Sequence, residues 1–198
     1  LDEFICLPNL RSAISSRVKI KDTFDNWLSL IRDALNQKWI EQCDNKVKEC
    51  VFNTIESLIS CDKIEPIQAR SANKPRKYGD WFFDQNLKKV LNHEARSHRN
   101  DDLHRYLFAA CYAKIHGKSP QLKDFPEALI PNHRSATENG VENASFADRF
   151  RVQCYGKPST TITCHISKDG HYYIHPDPTQ CRSYRSGGLA ITLNSKSI

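Results

Sequence analysis

An α+β chain is what the residues predict, with a helical N-terminal part and a small antiparallel β-meander near the C-terminus. Two observations carry this. Before about residue 130, apolar residues recur at helical spacing in three stretches. Between Phe146 and Arg182, short β-branched and aromatic runs (Phe150 to Cys154, Thr160 to Ile166, His171 to Ile174) are separated by turn chemistry. Tyr155-Gly156-Lys157-Pro158 and Ser167-Lys168-Asp169-Gly170 each place a φ-permissive glycine among polar residues, which punctuates hairpins.

Taken in order, Leu1 to Ile20 reads as an extended lead-in containing Pro8 and no lasting period. Asp22 then suits a helix N-cap, and Phe24, Trp27, Leu28, Ile31, Leu35 and Trp39 fall on one helical face. A second helix is expected at about Asn45 to Ser60, where Val47, Cys50, Val51, Ile55, Leu58 and Ile59 share a stripe. Cys43 and Cys50 read there as small core hydrophobes.

From Cys61 to Asp80 the chain becomes a basic loop that includes Arg70, Lys74, Arg76 and Lys77. It fits a segment lying along phosphates, and equally a solvated connector. A second basic cluster follows, Arg96, His98, Arg99, His104 and Arg105, at the front of a helix expected from about Asp101 to His116. Asp101 or Asp102 is its expected cap, Leu103, Tyr106, Leu107, Ala110, Cys111 and Ile115 its buried side, and Gly117 its stop. Two short helical turns, QLKDF and EALI, are limited by Pro126 and Pro131, and a flexible loop is expected from Asn132 to Ser145.

Composition excludes several classes. With 39% hydrophobic and 26% charged residues, the 198-residue chain has the balance of an ordinary globular protein. No apolar run approaches the roughly 20 residues of a membrane span, and LDEFICLPNL lacks the basic start and cleavage site of a secretory signal. Asn143-Ala144-Ser145 therefore reads as a chance match to a glycosylation acceptor. Eight cysteines, at positions 6, 43, 50, 61, 111, 154, 164 and 181, are scattered through apolar faces, so a reduced cytoplasmic protein is expected. The first residue is Leu, so the chain reads as a piece of something longer. A formal charge of +6 favours a polyanionic partner without naming it.

The residues then meet a family. The run PSTTITCHISKDGHYYIHPDPTQCRS, preceded by FADRFRVQ, resembles bacterial cytosine-5 DNA methyltransferases between their eighth and ninth shared motifs, which is their target-recognition domain. The resemblance extends upstream through RYLFAACYAKIHGKSPQLKDFPEALIPNH and more loosely to LPNLRSAIS. It implies a recognition-domain-like region over 1–183, with a helical lobe at about 20–130 and a β recognition part at about 146–182. After Arg182-Ser183 it stops: YRSGGLAITLNSKSI lacks the ninth motif's amphipathic pattern, and 184–198 reads as an unrelated tail.

That family has a chemistry, and its motifs are missing here. Its enzymes use a Phe-x-Gly-x-Gly loop for S-adenosylmethionine, a Pro-Cys nucleophile for C6 of cytosine and a Glu-Asn-Val carboxylate for the ring nitrogen. Glu138-Asn139 and Glu142-Asn143 sit in a polar, glycine-containing loop rather than on the buried strand that motif needs. No catalytic or cofactor-binding residue is therefore expected in this chain, and S-adenosylmethionine belongs to the parent enzyme. The implied partners are double-stranded DNA and the parent's catalytic domain, in a bacterial cytoplasm, with no membrane.

The resemblance also supplies site candidates. Thr161-Ile162 matches the pair that meets the backbone near the extruded cytosine, and Ser159, Thr160 and Thr163 carry short hydroxyls suited to phosphate oxygens. Alternating threonine is equally common as solvent-face filler. Lys157, His165, Lys168 and His171 flank the two turns, where side chains can reach base edges in the major groove. Arg182 closes the resembling run, and Arg96 and Arg99 lead into the helix.

Cys164, His165, His171, His175 and Cys181 are of metal-ligating types, and Asp169, His171, His175 and Asp177 are the set a metal-dependent nuclease would use. Cys164 and His165 point to opposite faces of a strand and no Cys-x2-Cys exists, so no metal is expected. A stand-alone DNA-binding module or a non-functional product, with Trp81, Phe82 and Phe83 left exposed, are the other readings.

Overall fold

The computed structural model describes residues 13–15, 18–19, 24–59, 98–132, 140–144, 147–158, 171, 173–181 and 183. Among these the fold is helical: α1 (Phe24–Asp33), α2 (Asn45–Ile59) and α3 (Asn100–His116), joined and followed by short 3-10 turns. Strands are confined to a small ribbon in which β1 (Ala13–Ser15) lies between β2 (Val18–Lys19), antiparallel, and β3 (His98–Arg99), parallel.

The expected C-terminal meander is not found among the described residues. Val152 bridges Ile174 in the parallel sense, and Ile174 bridges Ser183 as a single antiparallel pair. The backbone of this stretch is satisfied elsewhere: Arg151 N–H donates to His171 O (3.0 Å), Ile174 N–H to Arg151 O (2.9 Å) and Gln153 N–H to Ile174 O (3.1 Å). These pairings join segments 20 to 23 residues apart, so the described apolar residues Phe150, Val152 and Ile174 line an inward-facing strip. Pro176 and Pro178 lack the N–H that a continuing ladder needs, and Asp177 instead caps a 3-10 turn at Pro178–Gln180. The turn at 155–157 does form, with Gly156 at φ 69° and Lys157 N–H on Cys154 O. Thr160 to Ile166 and the turn at 167–170 lie outside the described residues.

α1 ends earlier than its apolar spacing predicts. After Asp33 the chain tightens into a 3-10 turn, Ala34–Asn36, and Gln37 becomes extended before a second turn, Lys38–Gln42. The break lets the adjacent Trp39 and Ile40 both enter the core, which one helical face does not allow. Trp39 meets Phe108 edge-on with ring centroids 6.2 Å apart.

α2 matches its prediction closely. Asp44 Oδ1 accepts from the N–H groups of Lys46 and Val47, both at 3.0 Å, so the carboxylate caps the helix. Val47, Cys50, Val51, Ile55 and Leu58 are buried as the stripe requires. Ile59 is instead exposed, and Thr54 takes a buried place by donating its hydroxyl to Cys50 O (2.7 Å).

α3 is the central element. Every residue from Leu103 to Cys111 is buried, because α1, α2 and the C-terminal strip surround it. Each fully buried Leu or Ile contributes roughly 2 kcal/mol. Gly117, at φ 65°, ends the helix with its N–H on Ala113 O (2.9 Å). The expected acidic cap is not used: Arg99 occupies that position without a side-chain cap bond, and both aspartates turn to Arg105. Ile115, expected on the buried side, is at the exposed end. α2 and α3 pass in opposite senses, since Asp44 meets His116 and Thr54 meets Cys111.

After α3 the two expected short turns are present as 3-10 turns, Leu122–Asp124 and Glu127–Leu129. Within the expected flexible loop, Val141–Asn143 forms a 3-10 turn, and Val141 and Ala144 pack on the core. No helix among the described residues is long and apolar enough to cross a membrane.

Candidate nucleic-acid interface

Of the residues the sequence nominates for DNA contact, Arg99, Lys157 and His171 are described. Ser159, Thr160, Thr161, Thr163, His165, Lys168, Arg182 and Arg96 lie outside the described residues. The three described ones are not equivalent.

Arg99 stands at the mouth of α3, 63% exposed, with Nε on Asp101 Oδ1 at 3.0 Å. The rest of its basic cluster divides. His104 Nε2 contacts Leu30 O (2.9 Å), tying α3 to α1. Arg105 is buried, donating Nε to Leu129 O (2.7 Å) and Nη1 to Asp101 and Asp102 (both 2.8 Å). Burial pushes the Asp101 carboxyl up, but the guanidiniums of Arg105 and Arg99 outweigh it and hold the group below its ordinary range. His104 and Arg105 therefore bind the fold together, and Arg99 is the cluster's described outward cation.

Lys157 is exposed in the turn that follows Cys154, and its ammonium donates to Gly117 O at the end of α3. Beside it, Tyr155 is 55% exposed. His171 lies inward: its Nδ1 meets Tyr106 Oη at 2.8 Å, and its ring lies 5.0 Å from that of Phe150. An aromatic path thus runs from Trp39 through Phe108, Phe125 and Phe150 to His171 and Tyr106. It joins the helical layer to the C-terminal strip. Thr179 supports that strip through Asp177, as does Cys181, whose thiol donates to Leu103 O (3.0 Å).

Among the described residues, no group of three or more His, Cys, Asp or Glu is placed to hold a metal ion. His175 is buried and accepts the Asp177 N–H on Nδ1 (3.0 Å). Cys43, Cys50, Cys111 and Cys154 are free thiols. Burial pushes Cys43 up to about 12, which keeps it protonated and unreactive at neutral pH. Asn143, of the Glu-Asn pair at 142–143, is exposed in its turn, while Glu138-Asn139 lies outside the described residues.

The class that emerges is a basic helical unit with free thiols and outward cations at both ends of its central helix. The chain is a distant homologue of a Type II methyltransferase, M.Bpa9945I of Bacillus paralicheniformis, 38% identical over 92 residues. That match takes in 46% of this chain and 19% of the relative, so the likeness spans about a fifth of the length of the curated protein. No protein-family model and no solved structure matches the chain.

Proposed function

We propose that this chain is the DNA-recognition portion of a DNA (cytosine-5-)-methyltransferase of the restriction-modification type. It would hold duplex DNA and position a target cytosine for a catalytic domain carried elsewhere. The observation that carries the reading is the 92-residue likeness to a Type II methyltransferase. Two further facts support it: the ordered strings from Phe146 to Arg182 that resemble the recognition domain, and the net charge of +6.

The mechanism follows from what these residues supply. Cations such as Arg99 and Lys157 neutralise phosphates and set the register of the duplex, while Ser159, Thr160, Thr161 and Thr163 offer hydroxyls to the backbone near the extruded base. Lys168, His165 and Arg182 contribute to the same DNA contact in this reading. S-adenosylmethionine and the cysteine nucleophile belong to the parent's catalytic domain. The chain alone binds DNA weakly and transfers no methyl group.

Fluorescence anisotropy with a labelled duplex of about 25 base pairs tests this. Four or more phosphate contacts should weaken binding by roughly 100-fold between 50 and 200 mM salt. Tritium transfer from S-adenosylmethionine by the purified chain would refute the catalytic assignment, and no binding at low salt would refute the recognition assignment.

A further inference from the structure

We infer that the C-terminal end of α3 is a second gripping surface for the phosphates of duplex DNA, formed by Lys114, Lys118, Lys157 and the ring of Tyr155. It rests on the DNA-recognition reading above and extends it to residues that the family resemblance does not nominate, Lys114, Lys118 and Tyr155.

Two segments remote in sequence are locked side by side here. Ser119 Oγ accepts from Val152 N–H (2.9 Å) and donates to Phe150 O (3.4 Å), so the chain leaving α3 is pinned to the strip that leads into the 155–157 turn. The Lys157 ammonium then closes the junction on Gly117 O, beside Lys118. Lys114 lies three residues before that glycine, on the exposed last turn of the helix. Neither 114–119 nor 154–158 contains an Asp or Glu. Among the described residues, two carboxylates face this end and both are committed: Asp44 to the α2 N–H groups and to His116 Nε2 (3.3 Å), and Asp124 to the Gln121 N–H (2.8 Å) and the Tyr112 hydroxyl.

A helix C-terminus repels anions through about half a negative charge on its free carbonyls. One lysine would answer that charge; three exceed it, and the surplus is what calls for a polyanion. The aromatic neighbour points the same way, because Tyr155, exposed two residues before Lys157 in the same turn, can lie against sugar or base. Flexible ammoniums spread over two segments suit the evenly spaced charges of a nucleic-acid backbone. A protein partner would require a larger desolvated apolar centre.

The test uses the intact chain and a labelled duplex. Replacing Lys114→Gln, Lys118→Gln and Lys157→Gln together should make the slope of log affinity against log salt shallower by about 2 to 3, since each phosphate contact contributes about 0.9. A second measurement needs no variant: lysine acetylation read by mass spectrometry with and without duplex. Lys114, Lys118 and Lys157 should be protected, and the exposed Lys38, next to Trp39 whose ring meets His104 in the first half of α3, should not. Unchanged acetylation in a chain that does bind, or an unchanged slope in the folded triple variant, overturns this inference and leaves the proposed function standing. Equal protection by polyglutamate overturns the DNA assignment of the surface. A chain that binds no duplex overturns both.

Discussion

Residues 24–59 with 98–130 and residues 147–183 both enclose apolar side chains, yet they hold shape by different means. In the helical region each backbone satisfies itself, so side chains are free to interlock: α2 and α3 mesh through Val47, Val51, Ile55, Leu103 and Leu107. Among its described residues, the C-terminal strip has local pairing only in tight turns at 154–157 and 177–181. Its order is borrowed from α3 through Ser119, Tyr106 and Leu103, with Phe150, Val152 and Ile174 as apolar anchors. The difference teaches that the strip is a surface mounted on a helix, and its positions follow α3.

Breaking the helical core should do the most. Leu107→Ala, at a fully buried site, is expected to cost about 3 kcal/mol by chemical denaturation, and the strip should lose order with the helices in one transition. A strip that melts first would sharpen the contrast into two cooperative units. Next comes the mount itself: Ser119→Ala leaves the Val152 N–H and Phe150 O without their partner, at about 1 to 2 kcal/mol, and should disturb the strip while helical circular dichroism holds. Tyr106→Phe removes a single bond to His171 and should cost about 1 kcal/mol.

The smallest effect lies at the start of α2. Asp44→Ala removes a cap worth about 1 kcal/mol. The Val47 N–H, opposed by slight burial and aided by His116 and Lys46, holds the Asp44 carboxyl below its ordinary value of 3.8. A depressed carboxyl stabilises the fold above its unfolded value, and that contribution is lost as pH falls through the lower folded value. The stability gap between wild type and Asp44→Ala should therefore be constant near neutrality and close as pH drops below 3.8. A gap that persists in acid would assign the effect to something other than the carboxylate.

Much of the helical region was legible. The α2 stripe and Gly117 are local signals, and local signals fix helix limits without knowledge of the fold. The break after Asp33 was not, because it is set by Trp39 packing against Phe108, 69 residues away. The strip misled for a related reason. Alternating apolar residues and a glycine turn describe an inward-facing edge as well as a hairpin, and only the partner decides; here Val152 found Ile174 in parallel. At the candidate site, the basic cluster at 96–105 could not be divided from sequence, since the Leu129 carbonyl and two aspartates turn Arg105 inward while Arg99 stays out. Lys114, on the exposed last turn of α3, and Lys118, just beyond Gly117, carry no sequence signal of their own, and what singles them out is the arrival of Lys157.

Recognition, as distinct from adhesion by a basic protein, is tested most directly by selecting duplexes from a randomised pool on the purified chain and sequencing what is retained. Enrichment of a common site containing a cytosine is the expected result. Retention of every sequence alike, at whatever affinity, would contradict the assignment of this chain to the part of a methyltransferase that reads DNA.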